Sequence, residues 1–247
     1  MKYPRTYPLE GSRPDGIPFS TIQNQYLVIE EKIDGRDTGI YFNDDAECTI
    51  ISRNSNATDD PEYKQLKDWC NSHLDGLWDI LNSRYIMYGQ WCLSKHTVFY
   101  DALPSLFLEH DLYDRDHGYF LSTKKRGEIL NRFFYSVPVL GSGYFDRLDA
   151  ISNLLEVSKF KTDHWKETLQ EICRQRKIDF DIVLSETDPS MLMEGLFIKV
   201  ENDDQVLSCY KYVRQDFVDL IISSKTHWKD REFIPNGIHI LFVSNRI

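Results

Sequence analysis

The chain has no Cys-x-x-Cys pair: its five cysteines, Cys48, Cys70, Cys92, Cys173 and Cys209, are an odd, scattered set among 247 residues. That pattern argues against a disulfide framework and against a cysteine zinc site, and it favours a reducing compartment, with the cytoplasm as the expected location. No apolar stretch is long enough to span a bilayer, and Met1-Lys-Tyr-Pro-Arg5 lacks the apolar run of a secretory signal, so no membrane partner is expected. Positive charge is also short. At a net charge of -10 the chain is poorly suited to indiscriminate nucleic-acid binding, which depends on many phosphate contacts and counterion release. Local basic clusters such as Lys124-Lys125-Arg126 each read as solvated helix faces. His73, His96, His117, His164, His227 and His239 show no metal-ligand spacing and read as surface or structural residues, and there is no internal repeat.

What is present suffices for a full core, since 41% of the residues are hydrophobic. One domain over 1–247 is expected. Residues 1–24, punctuated by proline and glycine, read as an ordered arm. β-branched and aromatic runs place strands at Tyr26–Glu31, Gly39–Phe42 and Cys48–Ser52, with a hairpin connection at Asn43–Glu47, and further strands at Arg84–Cys92 and Ser105–Tyr113. Apolar residues at helical spacing over Pro61–Leu81 predict one or two helices. From about 123 to 190 the pattern is that of a helical insertion, with helices over Arg126–Phe134, Asp149–Val157 and Asp163–Arg176 separated by Pro138 and Gly141-Ser-Gly143. Strands return at Gly195–Val200 and Gln205–Val213, then a helix over Gln215–Ser223 opens a short tail, 215–247.

The chemistry centres on Lys32-Ile-Asp-Gly35, where a predicted strand breaks. A lysine entering a turn beside a carboxylate and a glycine can hold an amine nucleophile against a phosphate, because glycine permits a sharp turn and leaves room for a ligand. Alone the pattern is weak, arising by chance in roughly one chain in twenty of this length. Five more stretches follow in order: Ile51-Ser-Arg53, Tyr88-Gly-Gln-Trp91, Phe107–Asp114, Glu194-Gly-Leu-Phe-Ile-Lys199 and Tyr210-Lys-Tyr-Val-Arg214. In that order the chain resembles the ATP-dependent RNA ligases of the covalent nucleotidyltransferase superfamily, a resemblance shared by His96–Pro104 and Glu10–Arg13.

The resemblance implies an α+β fold, an ATP-grasp-like two-sheet ligase domain with antiparallel sheets around a nucleotide cleft and helices outside. It implies that Lys32 attacks the α-phosphate of ATP and releases pyrophosphate, that the AMP passes to an RNA 5′-phosphate, and that an RNA 3′-hydroxyl then displaces AMP. The partners are RNA ends, prepared by an end-healing kinase or phosphatase in trans. Catalytic roles fall to Lys32, Asp34, Glu194, Lys199 and Lys211. Nucleotide contacts fall to Glu31, Lys32, Ile33, Asp37, Arg53, Gln90, His110, Glu194, Lys199 and Lys211. Mg²⁺ or Mn²⁺ would sit on Asp34 and Glu194, because hard cations take oxygen ligands. Nearby cations, namely Lys199, Lys211 and a bound divalent metal, are expected to depress the Lys32 pKa and free its amine.

Four positions depart from the family. Asp37 stands for an asparagine or arginine, Gln90 for a glutamate, His110 for an adenine-stacking phenylalanine, and Cys209 for one of two basic residues. Strand parity puts Cys209 and Lys211 on one face, Tyr210 and Tyr212 on the other. The second functional class is therefore a non-catalytic nucleotide- or RNA-binding module that retains the fold. About thirty residues follow Arg214, too few for an OB-fold, which favours RNA ligase over DNA ligase or capping enzyme.

Overall fold

The computed structural model describes residues 3–52, 61–131, 133–224 and 226–239. Elements are numbered along the chain. One sheet has the order β1 (Tyr7–Pro8), β10 (Val206–Val213), β9 (Gly195–Glu201), β2 (Tyr26–Glu31) and β8 (Val139–Tyr144). The other runs β4 (Cys48–Ser52), β3 (Arg36–Phe42), β5 (Tyr85–Trp91), β6 (Phe107–Asp114) and β7 (Tyr119–Phe120). All pairings are antiparallel except β1 with β10. The helices are α1 (Pro61–Ser72), α2 (Leu74–Leu81), α3 (Thr123–Leu130), α4 (Leu148–Ser152), α5 (Trp165–Arg176), α6 (Phe180–Ser185) and α7 (Gln215–Ser223).

Alternation of side chains along each strand divides the sheets into an outer and an inner face. On β2, Leu27 and Ile29 join Leu196, Ile198 and Val200 of β9 in an outer core closed by Leu9, Phe19, Ile22 and Ile151. The second sheet packs Ile40, Phe42, Met87 and Leu112 against Leu66 and Cys70 of α1 and Leu77 and Leu81 of α2. The inner residues of the first sheet, Glu30, Phe197, Lys199, Cys209 and Lys211, are left to face the second sheet. Lys199 reaches Asp111 of β6 at 2.9 Å, and Phe197 lies 6.0 Å from the ring of His110. A cleft between the sheets is the consequence.

Three expectations are corrected. The stretch 123–190 is not helical throughout, because β8 lies within it and pairs with β2 from Tyr26↔Tyr144 to Glu30↔Val139; the glycines read as helix breakers, Gly141 and Gly143, are edge-strand residues. Its helices are shorter than expected: α3 starts at Thr123, where Ser122 caps Lys125 N, and stops at Asn131, whose left-handed backbone ends it. The 1–24 arm contains β1, held parallel to β10 through Tyr7↔Tyr210 and Pro8↔Lys211.

Candidate active site

Lys32 follows β2 directly, and its amide donates to the Gly195 carbonyl at 3.0 Å, so the turn after β2 lies against the start of β9. Two glycines permit this. A Cβ on Gly195 would fall 2.2 Å from the Tyr212 carbonyl oxygen, and one on Gly35 would fall 2.9 Å from Cys92 Sγ. Across the junction, Lys32 Nζ meets Glu194 Oε1 at 2.7 Å. Glu194 is placed by Arg214, whose amide donates to the Glu194 carbonyl at 3.3 Å and whose Nε donates to Met193 O at 2.9 Å.

Lys32 opens onto a cavity of about 570 Å³ that also takes in Asp37, Gln90, His110, Phe197 and Lys211. Asp37 and Gln90 are partners in the β3–β5 register, and Gln90 Nε2 donates to Asp37 Oδ1 at 2.5 Å. Phe197 and Lys211 are opposite one another on β9 and β10. Arg5 and Arg13 of the arm line the cavity as well, as does Tyr3. Tyr3 and Arg5 were not among the residues singled out from sequence, and Arg13 was noted only as the end of the Glu10–Arg13 resemblance.

Other site residues lie elsewhere. Lys199 is fully buried behind His110, held by Glu30 Oε2 at 2.9 Å and Asp111 Oδ1 at 2.9 Å and donating to the His110 carbonyl; it does not line the cavity. Arg126 extends this group, meeting Glu30 Oε1 at 2.8 Å and Glu109 Oε1 at 3.4 Å. The Asp34 carboxylate turns the other way and accepts the amides of Thr97 at 2.7 Å and Val98 at 2.8 Å, with buried His96 at 3.7 Å. That explains the His96–Pro104 stretch: it docks under the Lys32 turn. Glu31 sends its carboxylate to the outer side of β2, where the Ser158 hydroxyl donates to it at 2.5 Å. Ile33 belongs to the apolar core with Cys92, Val98 and Leu108, so only its backbone and that of Glu31 can face the cavity. Arg53 lies outside the described residues.

The protein's own groups act on Lys32 in the direction opposite to the one expected of cations. Burial pushes the Lys32 ammonium toward neutrality, but Glu194, with Asp34 and Asp37 behind it, outweighs burial and holds the pKa above the ordinary lysine range. Of the side-chain cations expected to depress it, Lys211 borders the same cavity, whereas Lys199 is sequestered by Glu30 and Asp111. Burial raises the Glu194 pKa, with the pull of Lys32 only partly offsetting it. Asp34 shows the opposite balance: burial would raise its pKa, but hydrogen bonds and charge from His96 and the Val98 amide hold it well below the usual carboxylate range. Glu194 Oε2 is buried with no hydrogen-bond partner. An orphaned anionic oxygen beside the nucleophile candidate fits a hard cation; Asp34 commits Oδ2 to the Thr97 and Val98 amides and turns Oδ1 toward His96. Among the described residues no group of three or more His, Cys, Asp or Glu side chains converges as a metal cluster.

The RNA ligase family model matches residues 25–213. The chain belongs to the RNA ligase family. Solved RNA ligases share its two-sheet α+β fold. An apo RNA ligase of Naegleria gruberi aligns with a TM-score of 0.56 at 14% identity over 89% of this chain and 57% of that one. A Naegleria gruberi RNA ligase with AMP and Mn gives 0.53 at 13% identity over 89% and 57%. An archaeal ATP-dependent RNA ligase gives 0.50 at 11% identity over 89% and 55%. At such identities the likeness shows the fold alone, and this chain spans somewhat more than half the length of those proteins. Comparison with curated protein sequences gives no match.

Proposed function

We propose that this RNA ligase family member is an ATP-dependent RNA ligase that works through a lysyl adenylate on Lys32. The observation that carries this reading is the 2.7 Å contact between Lys32 Nζ and Glu194 Oε1 at the edge of a cavity bordered by Asp37, Gln90, His110 and Lys211. A raised lysine pKa means that the resting amine is protonated, and a protonated amine is no nucleophile. Glu194 is within reach of that proton, and burial raises its own pKa, so it suits the acceptor role.

Neighbouring RNA ligases have been solved with ATP and Mn. A divalent ion here would neutralise phosphate charge, and Glu194 is the residue that would hold it. Lys211 and the arm guanidiniums Arg5 and Arg13 would face the phosphates, while His110 and Phe197 bound the base end. The acceptors of AMP would be RNA 5′-phosphates, joined to 3′-hydroxyls, with end preparation by a kinase or phosphatase in trans. One domain over 1–247 would carry the adenylylation.

The test is covalent labelling. Purified protein with Mg²⁺ and α-labelled ATP should retain label after denaturation, and Lys32→Ala should retain none. A wild type that stays unlabelled with Mg²⁺ and with Mn²⁺ sinks this reading in favour of a binding module.

A further inference from the structure

We infer that Tyr3 is a positioning and specificity residue of the nucleotide site, walling the base end of the cavity and fixing the His110 ring; this rests on the reading that the cavity takes a nucleoside triphosphate.

The arm that carries Tyr3 is built into the fold. Leu9 is fully buried, its amide donates to the Lys211 carbonyl at 2.8 Å, and the Ser12 hydroxyl accepts the Val213 amide at 3.0 Å. The arm is thus anchored along the strand that presents Lys211, and residues 3–6 lie across the cleft.

Tyr3 then meets both sheets. Its ring sits among Tyr88 at 5.2 Å, His110 at 5.1 Å and Phe120 at 5.3 Å, each edge-on, an arrangement that aromatic quadrupoles favour. All three belong to the second sheet. Its hydroxyl donates to Asp111 Oδ2 and lies 3.9 Å from Cys209 Sγ on the first sheet. A long side chain at 209 would compete for the space that the phenol fills, so the short cysteine and the tyrosine are complementary. The cavity still measures about 570 Å³ with Tyr3 in place, within the usual range for a small-molecule site. Tyr3 is therefore a wall of the site and not a plug in it.

Its hydroxyl also bears on His110. Asp111 Oδ2 faces His110 Nδ1 at 3.1 Å, while Oδ1 holds Lys199 at 2.9 Å. One carboxylate oxygen thus serves both Tyr3 and the imidazole. Loss of the phenol hydroxyl changes how Asp111 orients the ring against which a base would lie.

The experiment uses the full chain with Mg²⁺ and either α-labelled ATP or α-labelled GTP, comparing wild type, Tyr3→Phe and Tyr3→Ala. The readouts are the nucleotide concentration for half-maximal labelling and the maximal labelling rate. Tyr3→Ala should raise half-saturating ATP about tenfold or more and narrow the preference between ATP and GTP, with the maximal rate within about twofold of wild type, as expected when uniform binding is lost. Tyr3→Phe, which keeps the ring and removes one hydrogen bond, should raise half-saturating ATP about threefold. Both variants labelling with wild-type ATP dependence and wild-type preference overturns the inference. If Tyr3→Ala does not fold, Tyr3→Phe decides alone by the same two measures. If wild type takes no label from either nucleotide, the ligase reading fails separately, and calorimetry with ATP decides: weaker binding by the Tyr3 variants supports the wall, while equal binding or none by wild type overturns it.

Discussion

Two lysines on the cleft side of the first sheet have opposite surroundings. The Lys199 side chain is 0% exposed, and the carboxylates that hold it, Glu30 and Asp111, are 0% and 1% exposed. The Lys32 side chain keeps 24% exposure and has Glu194 at 2.7 Å. Lys199 is locked into a group of five interlocking charges with Arg126 and Glu109; Lys32 sits at the rim of a cavity beside an unpartnered carboxylate oxygen. A lysine surrounded by fixed countercharges stabilises an arrangement, because removing it leaves buried anions uncompensated. A lysine with one carboxylate and an open side can exchange its proton and meet a ligand.

The largest effect should come from breaking the closed centre. Lys199→Met is expected to cost about 3–5 kcal/mol, the range for removing one partner of a buried pair, and urea or thermal melts measure it. Lys32→Ala should lose clearly less, because Glu194, whose pKa burial already raises, can take up a proton when its partner is gone. Equal losses in the two variants would erase the distinction drawn between them.

A middle-sized effect belongs to Glu31, which flanks Lys32 on the other face of β2. Burial raises its pKa to about 7, with the Ser158 hydrogen bond only partly countering it. The folded state therefore keeps a proton that the unfolded chain loses near pH 4.5, so stability is full below that pH and falls as pH rises through 7. Glu31→Gln should flatten that fall and add about 2 kcal/mol at pH 8, read from melting curves between pH 5 and 8. A variant whose curve parallels wild type across that range contradicts this assignment.

The smallest effect is at His110, on the boundary between the closed centre and the cavity. If the ring lies against the base, His110→Phe adds apolar stacking area and should lower half-saturating ATP about threefold. Unchanged ATP dependence in the labelling assay removes the base from that position.

The sequence carried the residues around the cavity better than it carried their partners. Lys32, Asp37, Gln90, His110 and Lys211 all border one cavity; the family resemblance pointed to all five, and strand parity was read for Lys211. Lys199 fitted the same pattern, yet its countercharges come from β2 and β6, far away in the chain. Nothing local reveals that Glu30 and Asp111 close around it. Asp34 is similar, since the amides that bind its Oδ2 belong to Thr97 and Val98. The same blindness hid the pull of Glu194 on Lys32: the sequence expectation weighed cations, and only the fold sets Glu194 2.7 Å from the amine. Strand β8 was hidden because glycines at an edge strand carry little β signal, and its partner β2 is more than a hundred residues earlier. The arm's composition announced an ordered loop, but Tyr3 became visible only once both sheets were in place.

The most direct measurement is to locate the adduct. After incubation with ATP and Mg²⁺, digestion and peptide mass mapping should find AMP on the peptide containing Lys32, none on Lys199 or Lys211, and no adduct in Lys32→Ala. AMP on another lysine, or an adduct that survives Lys32→Ala, would contradict the division between the open lysine and the closed one.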